Sequence, residues 1–339
     1  MNHPLRLAFM GFRHAHIYDV YRKATEHPGI EIVAACEEDG ETREGIISSG
    51  SADITHETFR AMLDVDCDAV AVGDYYGKRG SILIESMKRG KHVIGDKPLC
   101  TGLDELDQIE KLSKEKNLSV GCQLDMRCSG NFLKLRELIL NGDIGEVHAI
   151  SFNGQHPLNY GSRPNWYFEE GKHCGTINDI AIHAVDFLPW ATGMKITSIN
   201  AARNWNASLP EVPFFLDSAQ MMLTMENGCG VLGDVSYLTP TAAGYSLPQY
   251  WRVNVWGQKG MLETSATEDG VLMYSSDVKD VQRMESSEPM NGAYLDAFVN
   301  EINGERDVFL STDEVLMASR TALMVQRAAD EGMTNVVVS

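Results

Sequence analysis

The chain has 339 residues, 43% of them hydrophobic and 23% charged, with 48 acidic against 29 basic side chains and a formal charge of −19. That length allows two domains of ordinary size, and the acidic balance argues against nucleic acid or an anionic membrane surface as a partner, because a phosphate backbone needs basic side chains. No apolar run reaches the roughly 20 residues of a membrane span, and MNHPLRLAFMGF lacks the apolar core and cleavage site of a secretory leader.

Leu5 to Met10 is a short apolar run that predicts a buried parallel strand, and Gly11-Phe12-Arg13-His14-Ala15-His16 stands at the strand-to-helix turn after it. Ile17 to Glu26 is predicted helical and is stopped by His27-Pro28-Gly29. A second strand, Ile30 to Cys36, ends in Glu37 and Glu38. A β-α-β unit with an acid closing its second strand is the layout of a dinucleotide-binding fold. Gly11 supplies the tight turn, whereas Arg13 and His16 replace the second and third glycines of G-x-G-x-x-G/A. Arg13 either lays its guanidinium on a phosphate or blocks the approach, while the helix N-terminus still offers N–H groups to an anion. Phe12, Arg13 and His14 are therefore candidate cofactor contacts. His14 and His16 form an H-x-H pair, but no third or fourth ligand lies nearby in sequence, so no metal is expected. Glu37 is the candidate ribose clamp: a carboxylate there accepts from both hydroxyls and repels a 2′-phosphate, which favours NAD over NADP. The other reading of Glu37 or Glu38 is a solvated loop acid.

The βα alternation continues. Phe59 to Leu63 is predicted helix, Asp68 to Val72 strand, Ser81 to Arg89 helix, and His92 to Ile94 strand ending at Gly95-Asp96-Lys97-Pro98. Leu103 to Lys116 is a long helix before the strand Ser119 to Gln123. This predicts a doubly wound parallel sheet with helices on both faces. Ligands bind beyond the carboxyl ends of such strands, where Gly11, Glu37, Asp74, Lys97 and Gln123 fall. Seven cysteines stand singly, with no C-x-x-C pair, so a disulfide framework is not indicated and a reducing cytoplasm is the expected location.

The stretch Cys174 to Gly193, CGTINDIAIHAVDFLPWATG, predicts an amphipathic helix on which Asp179, His183 and Asp186 share one face. An ionisable stripe on a buried helix is either a satisfied core network or an acid–base histidine oriented by a carboxylate and facing a cleft. Around it, alternating strands are predicted at Val147 to Asn153, Ile196 to Arg203, Ala219 to Met225, Gly230 to Val235 and Trp251 to Trp256, with turns at Asn227-Gly228 and Gln258-Lys259-Gly260. They imply a large, mostly antiparallel open sheet with one face on helices, and a wide exposed sheet face is a common subunit interface, so a homo-oligomer is expected. The last helix, Asp313 to Glu331, closes that sheet or returns to the first domain. Between His156 and His173, Trp166, Tyr167 and Phe168 stand with Arg163, Asn165 and Lys172, just after Asn153. Flat apolar surfaces beside such donors suit a sugar ring, and equally suit simple loop packing. A second loop, Thr239 to Tyr250, carries Tyr245 and Gln249.

Asp96-Lys97-Pro98 after a Rossmann half, Gly175-x-x-x-Asp179-x-x-x-His183-x-x-Asp186, Arg127, and the passage from Leu138 through Asn141-Gly142-Asp143-Ile144-Gly145-Glu146-Val147 together resemble the Gfo/Idh/MocA family, the glucose–fructose oxidoreductase and inositol dehydrogenase group. The resemblance covers nearly the whole chain. Departures are Asp96 for the usual Glu, Cys174 for the first glycine of a Gly-Gly run, and Arg79 where His is frequent. The resemblance implies an N-terminal Rossmann domain over 1–123 and a C-terminal α+β domain over 124–339 for substrate binding and oligomerisation, as a homodimer or homotetramer. It implies hydride transfer between a nicotinamide cofactor, which Glu37 makes NAD rather than NADP, and a secondary alcohol of a sugar, glycoside or polyol. His183 would take the hydroxyl proton, Lys97 would hold the same hydroxyl and the nicotinamide ribose, and Asp179 would bind an adjacent hydroxyl or orient His183. Arg127, Asn153 and Trp166 are further candidate substrate contacts. Two rival readings are a redox-neutral, NAD-dependent glycoside cleavage by oxidation and elimination, and a non-catalytic NAD- or sugar-binding regulator.

Overall fold

Short runs rich in Val, Ile and Ala, bounded by glycine and acidic residues, form a five-stranded parallel sheet in the order β2-β1-β3-β4-β5. The computed structural model describes residues 3–306 and 308–338. The strands are β1 (Leu5–Met10), β2 (Ile30–Cys36), β3 (Ala69–Val72), β4 (His92–Gly95) and β5 (Val120–Cys122). They alternate with α1 (His16–Glu26), α2 (Gly40–Ser49), the single turn α3 (Phe59–Met62), α4 (Tyr76–Lys88) and α5 (Leu103–Lys116). The strand order reverses between β1 and β3, the switch point at which such sheets open a crevice beyond their carboxyl ends.

Two helices depart from the expected pattern. Helix α2 lies where no element is predicted, yet it carries both terminal signals: the Asp39 side chain accepts from the Thr42 N–H, and Gly50 ends the helix at φ 65°. Helix α4 starts at Tyr76 rather than Ser81, because Gly77 and Gly80 obscure its first turns. Both glycines serve packing, since a Cβ at Gly80 would run into the Glu105 carboxylate and one at Gly77 into the Gly171 carbonyl.

A second unit comprises residues 125–168, 175–291 and 320–339. It contains α6 (Gly130–Leu140), β6 (Val147–Pro157), a π-helical turn (Ile177–Ala181) that runs into α7 (Ile182–Thr192), and β7 (Ile196–Trp205). There follow β8 (Ser218–Met225), β9 (Gly230–Thr239), β10 (Val253–Gly257), β11 (Gly260–Thr264), β12 (Gly270–Ser275) and β13 (Val278–Glu285). With β14 (Thr334–Val337) these strands make a nine-stranded sheet, β13-β12-β11-β10-β6-β9-β8-β7-β14, antiparallel except for β6 beside β9. Helix α6 packs on β11, β12 and β13, and the π-turn on β9. The opposite face is open and exposes Met222, Leu232 and Trp256. Strands β11 to β14 were not predicted: β13 (VKDVQRME) is polar at most positions and mostly exposed, so it carries no two-residue hydrophobic period.

The remaining helices are α8 (Ala293–Ile302) and α9 (Thr312–Glu331). Residues 169–174 and 292–319, beyond the boundary expected at 123, pack with the parallel sheet. The Val120 N–H donates to the Thr312 hydroxyl at 2.9 Å, and His27 pairs with Asp296 at 3.0 Å.

Candidate active site

In the parallel-sheet unit, the turn after β1 is built on Gly11, at φ +79°. A Cβ there would stand 2.7 to 2.8 Å from Asp74, so only glycine brings the two loops together. Glu37 closes β2 and is buried; its Oε2 accepts from the Phe12 N–H at 2.6 Å and its Oε1 from the Asp39 N–H at 2.8 Å. Burial pushes the Glu37 carboxyl up, against the pull of those two donors. Glu38 instead pairs with Lys78 at 2.7 Å, and Lys78 also reaches Asp74 at 2.9 Å. Arg13 turns to Asp39 at 3.2 Å and lies over the Tyr75 ring.

Arg79 organises the Asp96-Lys97-Pro98 loop. Its guanidinium is fully buried; Nη1 donates to the carbonyls of Asp96 (2.9 Å), Lys97 (2.6 Å) and Pro98 (3.1 Å). Nε donates to the Asp74 carbonyl at 2.7 Å, and Nη2 to Asp96 Oδ2 at 2.9 Å. One side chain thus ties the ends of β3 and β4 together, and Lys97 emerges from that loop 5% exposed, before a cis peptide to Pro98. Nothing in the sequence marks Arg79 for this role, since an arginine three residues into a helix usually faces water.

His14 Nδ1 pairs with Asp96 Oδ2, and His14 Nε2 meets the Tyr76 hydroxyl at 3.0 Å. Burial pulls the His14 imidazole from its ordinary 6.5 down to about 3. Burial alone would raise the Asp96 carboxyl, but Arg79 and the two histidines hold it well below the usual range. Between pH 6.5 and about 3 the unfolded chain binds a proton that folded His14 refuses. Stability from this site is therefore fully present above pH 6.5 and is lost as the pH falls towards 3. The wild type is expected to lose melting temperature across that window more steeply than His14→Asn; parallel pH profiles of the two would show the idea wrong.

These residues fit a dinucleotide. Gln123 ends β5 with its N–H on the Gly95 carbonyl at 3.0 Å, while its side-chain Oε1 is buried and meets no donor among the described residues. It is an acceptor placed where a bound group would bring a donor. Each Glu37 oxygen also keeps a lone pair beyond its backbone partner.

In the second unit, Asp179, His183 and Asp186 take three separate partners. Asp179 lies in the π-turn that runs into α7. Its carboxylate accepts from the Tyr237 hydroxyl, and burial with that carboxylate pushes the Tyr237 phenol well above its ordinary value. Arg163 lies over the rings of Tyr167 (4.6 Å) and Tyr237 (5.3 Å). His183, 7% exposed, stands edge-on to Trp251 at 5.3 Å with Nδ1 3.8 Å from Asp125 Oδ1. His156 brings Tyr237, Tyr245, Tyr250 and Trp251 around its ring at 5.2 to 6.3 Å. Trp166 is buried against Tyr167 at 4.2 Å.

Two residues expected at the substrate have other neighbours in the structure. Arg127 forks onto Asp186 through Nε (2.8 Å) and Nη2 (2.6 Å) and lies over Trp190, a buried pair that fixes α7 rather than a cation held out to a ligand. Asn153 lines a groove of about 510 Å³ on the open sheet face with Arg203, Gln220 and Asp234. Its neighbour Gly154 instead abuts Ile180 and Trp251, so the strand pleat turns Asn153 away from the histidine side. Asp125, Tyr237 and Trp251 were missed, because as single residues in a turn or an apolar strand they carry no pattern.

Comparison with known proteins agrees with this architecture. Residues 5–123 match the model of an oxidoreductase family with an NAD-binding Rossmann fold, and residues 132–263 match the GFO/IDH/MocA C-terminal domain. The chain is 24% identical over 288 residues to the uncharacterized oxidoreductase YrbE of Bacillus subtilis, covering 83% of this chain and 81% of that one. It is 24% identical over 269 residues to the scyllo-inositol 2-dehydrogenase (NAD(+)) of the same organism, covering 77% and 74%. A solved Thermotoga maritima chain assigned as an oxidoreductase superposes with a TM-score of 0.84 at 21% identity, covering 98% of this chain and 100% of that one. A glycine turn with its buried acid, a strand-end lysine before proline, and a histidine helix on a large open sheet thus occur together in a chain that belongs to the Gfo/Idh/MocA oxidoreductases and carries their NAD-binding Rossmann domain.

Proposed function

We propose that this protein moves a hydride between NAD and a secondary alcohol carbon of a sugar, glycoside or polyol, with residues 1–123 serving the cofactor and 124–339 the substrate. The observation that carries the reading is His183: a nearly buried imidazole, braced by Trp251 and facing the half-exposed carboxylate of Asp125. The nicotinamide supplies the hydride acceptor when bound. His183 takes the hydroxyl proton as the hydride leaves, and the Asp125 carboxylate favours the imidazolium that results. Lys97 stabilises alkoxide character as a fixed cation. Asp179, held by Tyr237, accepts from a neighbouring hydroxyl, and Arg163 donates beside it. Glu37 favours an unphosphorylated ribose, hence NAD. The relative named as an inositol dehydrogenase supports a polyol or sugar as substrate.

The test is a panel of polyols, free sugars and glycosides incubated with NAD and, in parallel, NADP. The reading expects stoichiometric NADH from at least one cyclic polyol or sugar, and little NADPH. Sugar release without accumulating NADH would replace it with a redox-neutral cleavage cycle, and a silent panel would leave the dehydrogenase reading without support.

A further inference from the structure

The H-x-H pair has no third ligand near it in sequence, but the fold supplies one. His14, His16 and Asp96 each offer a ligand atom, and these atoms lie within 4.8 Å of one another at the carboxyl ends of β1 and β4. We propose that these three residues bind a divalent first-row metal ion of the zinc class, as a two-histidine, one-carboxylate site open to an exogenous ligand.

Two independent observations point to a ligand here. The first is the spacing: His16 Nδ1 stands 3.4 Å from Asp96 Oδ1. That is the separation of two ligands on one tetrahedral ion with bonds of about 2.0–2.2 Å. The second is that Asp96 Oδ1 is buried and meets no hydrogen-bond donor among the described residues, although its carboxylate is wholly inaccessible. A buried anionic oxygen without a donor is costly, and a cation between it and His16 removes that cost.

The surroundings supply an outer shell. Arg79 holds the other oxygen, Oδ2, at 2.9 Å and keeps it when His14 turns to the ion, which leaves Oδ1 towards His16. His14 joins the ion through Nδ1 by changing tautomer: Nδ1 leaves Oδ2 bare of its proton, and Nε2–H then donates to the Tyr76 hydroxyl, 3.0 Å away. A ligating histidine that donates its second nitrogen to a fixed oxygen, and a ligating carboxylate that is itself hydrogen-bonded, are the usual supports of protein metal sites. Arg79 offsets the Asp96 charge, so the ion keeps its own positive charge and favours an anion, hydroxide or a phosphate oxygen, at its open position. His16 is 43% exposed at its side chain, which gives the ion a way in. The site also gives a physical use to His16, which replaces the third fingerprint glycine. None of this depends on the hydride-transfer reading.

The test titrates the full chain, freed of metal by chelator and dialysis, with Co²⁺ and then Zn²⁺. One equivalent of Co²⁺ is expected to give saturable binding with visible d–d absorption, bleached by Zn²⁺. His16→Ala should weaken Co²⁺ binding by about 100-fold and Tyr76→Phe by about tenfold, with His16→Ala melting like wild type because that side chain is half exposed. Absence of a saturable equivalent would overturn the proposal. So would Co²⁺ binding of unchanged strength and spectrum in both His16→Ala and His14→Gln, since the ion would then sit elsewhere.

Discussion

Arg79→Met is expected to destabilise the protein by about 3–5 kcal/mol, the usual effect of removing one partner from a buried ion pair. The substitution keeps the aliphatic stem but strips the donor from the Asp96 carboxylate and from the carbonyls of Asp74, Asp96, Lys97 and Pro98. The Asp96 carboxylate is left with its histidine neighbours alone, in a site with no access to water. Arg79→Lys keeps the charge yet cannot present three nitrogens in a rigid plane, so it should fall between methionine and wild type. Chemical denaturation monitored by circular dichroism reads both. A methionine variant within about 1 kcal/mol of wild type would mean that the loop holds its shape by packing alone. Turnover should fall further than stability, because Lys97 is positioned by the same loop.

His183→Ala is expected to lower turnover with the best substrate of the panel by about 10²–10⁴-fold, the range for losing a general base. The Michaelis constant should move much less, because Asp179, Tyr237 and Arg163 stay where they are. Lys97→Ala should reduce turnover on the same scale, while leaving NAD binding measurable by fluorescence. Initial rates over a pH range sharpen the assignment: if His183 is the base, the limb of the wild-type profile that reports it disappears in the alanine variant. Unchanged turnover in His183→Ala would end the acid–base role and return the imidazole to core packing against Trp251.

How much of this could be read from the residues alone depended on whether the signal was local. The β1 turn, Glu37 at the end of β2, and Lys97 after β4 were legible because an apolar run ending in a glycine or an acid marks a strand end wherever it occurs. Helix α2 was equally local, with Asp39 and Gly50 at its termini, but its weak amphipathicity hid it. Arg79 was not legible, because its role is defined by carbonyls as many as 19 residues away. Asp96 as a neighbour of His14, 82 residues apart, was hidden for the same reason. On the second unit Asp179 and His183 are picked out by helical spacing, although the turn that carries Asp179 is π rather than α. The face on which Asn153 lies was not legible, because a shift of one residue in a strand moves a side chain from one face to the other.

Gln326, on α9, carries a consequence for how the protein is made. Its Oε1 accepts from the Ile177 N–H at 3.0 Å and from the Asn178 N–H at 3.3 Å, and a Cβ at Gly175 would collide with the same side chain. The first turn of the segment that presents Asp179 and His183 is thus capped by a residue 149 positions downstream. While the ribosome is still translating the middle of the chain, that turn has no such cap, so it acquires its final seat only after the last helix has been synthesised and docked.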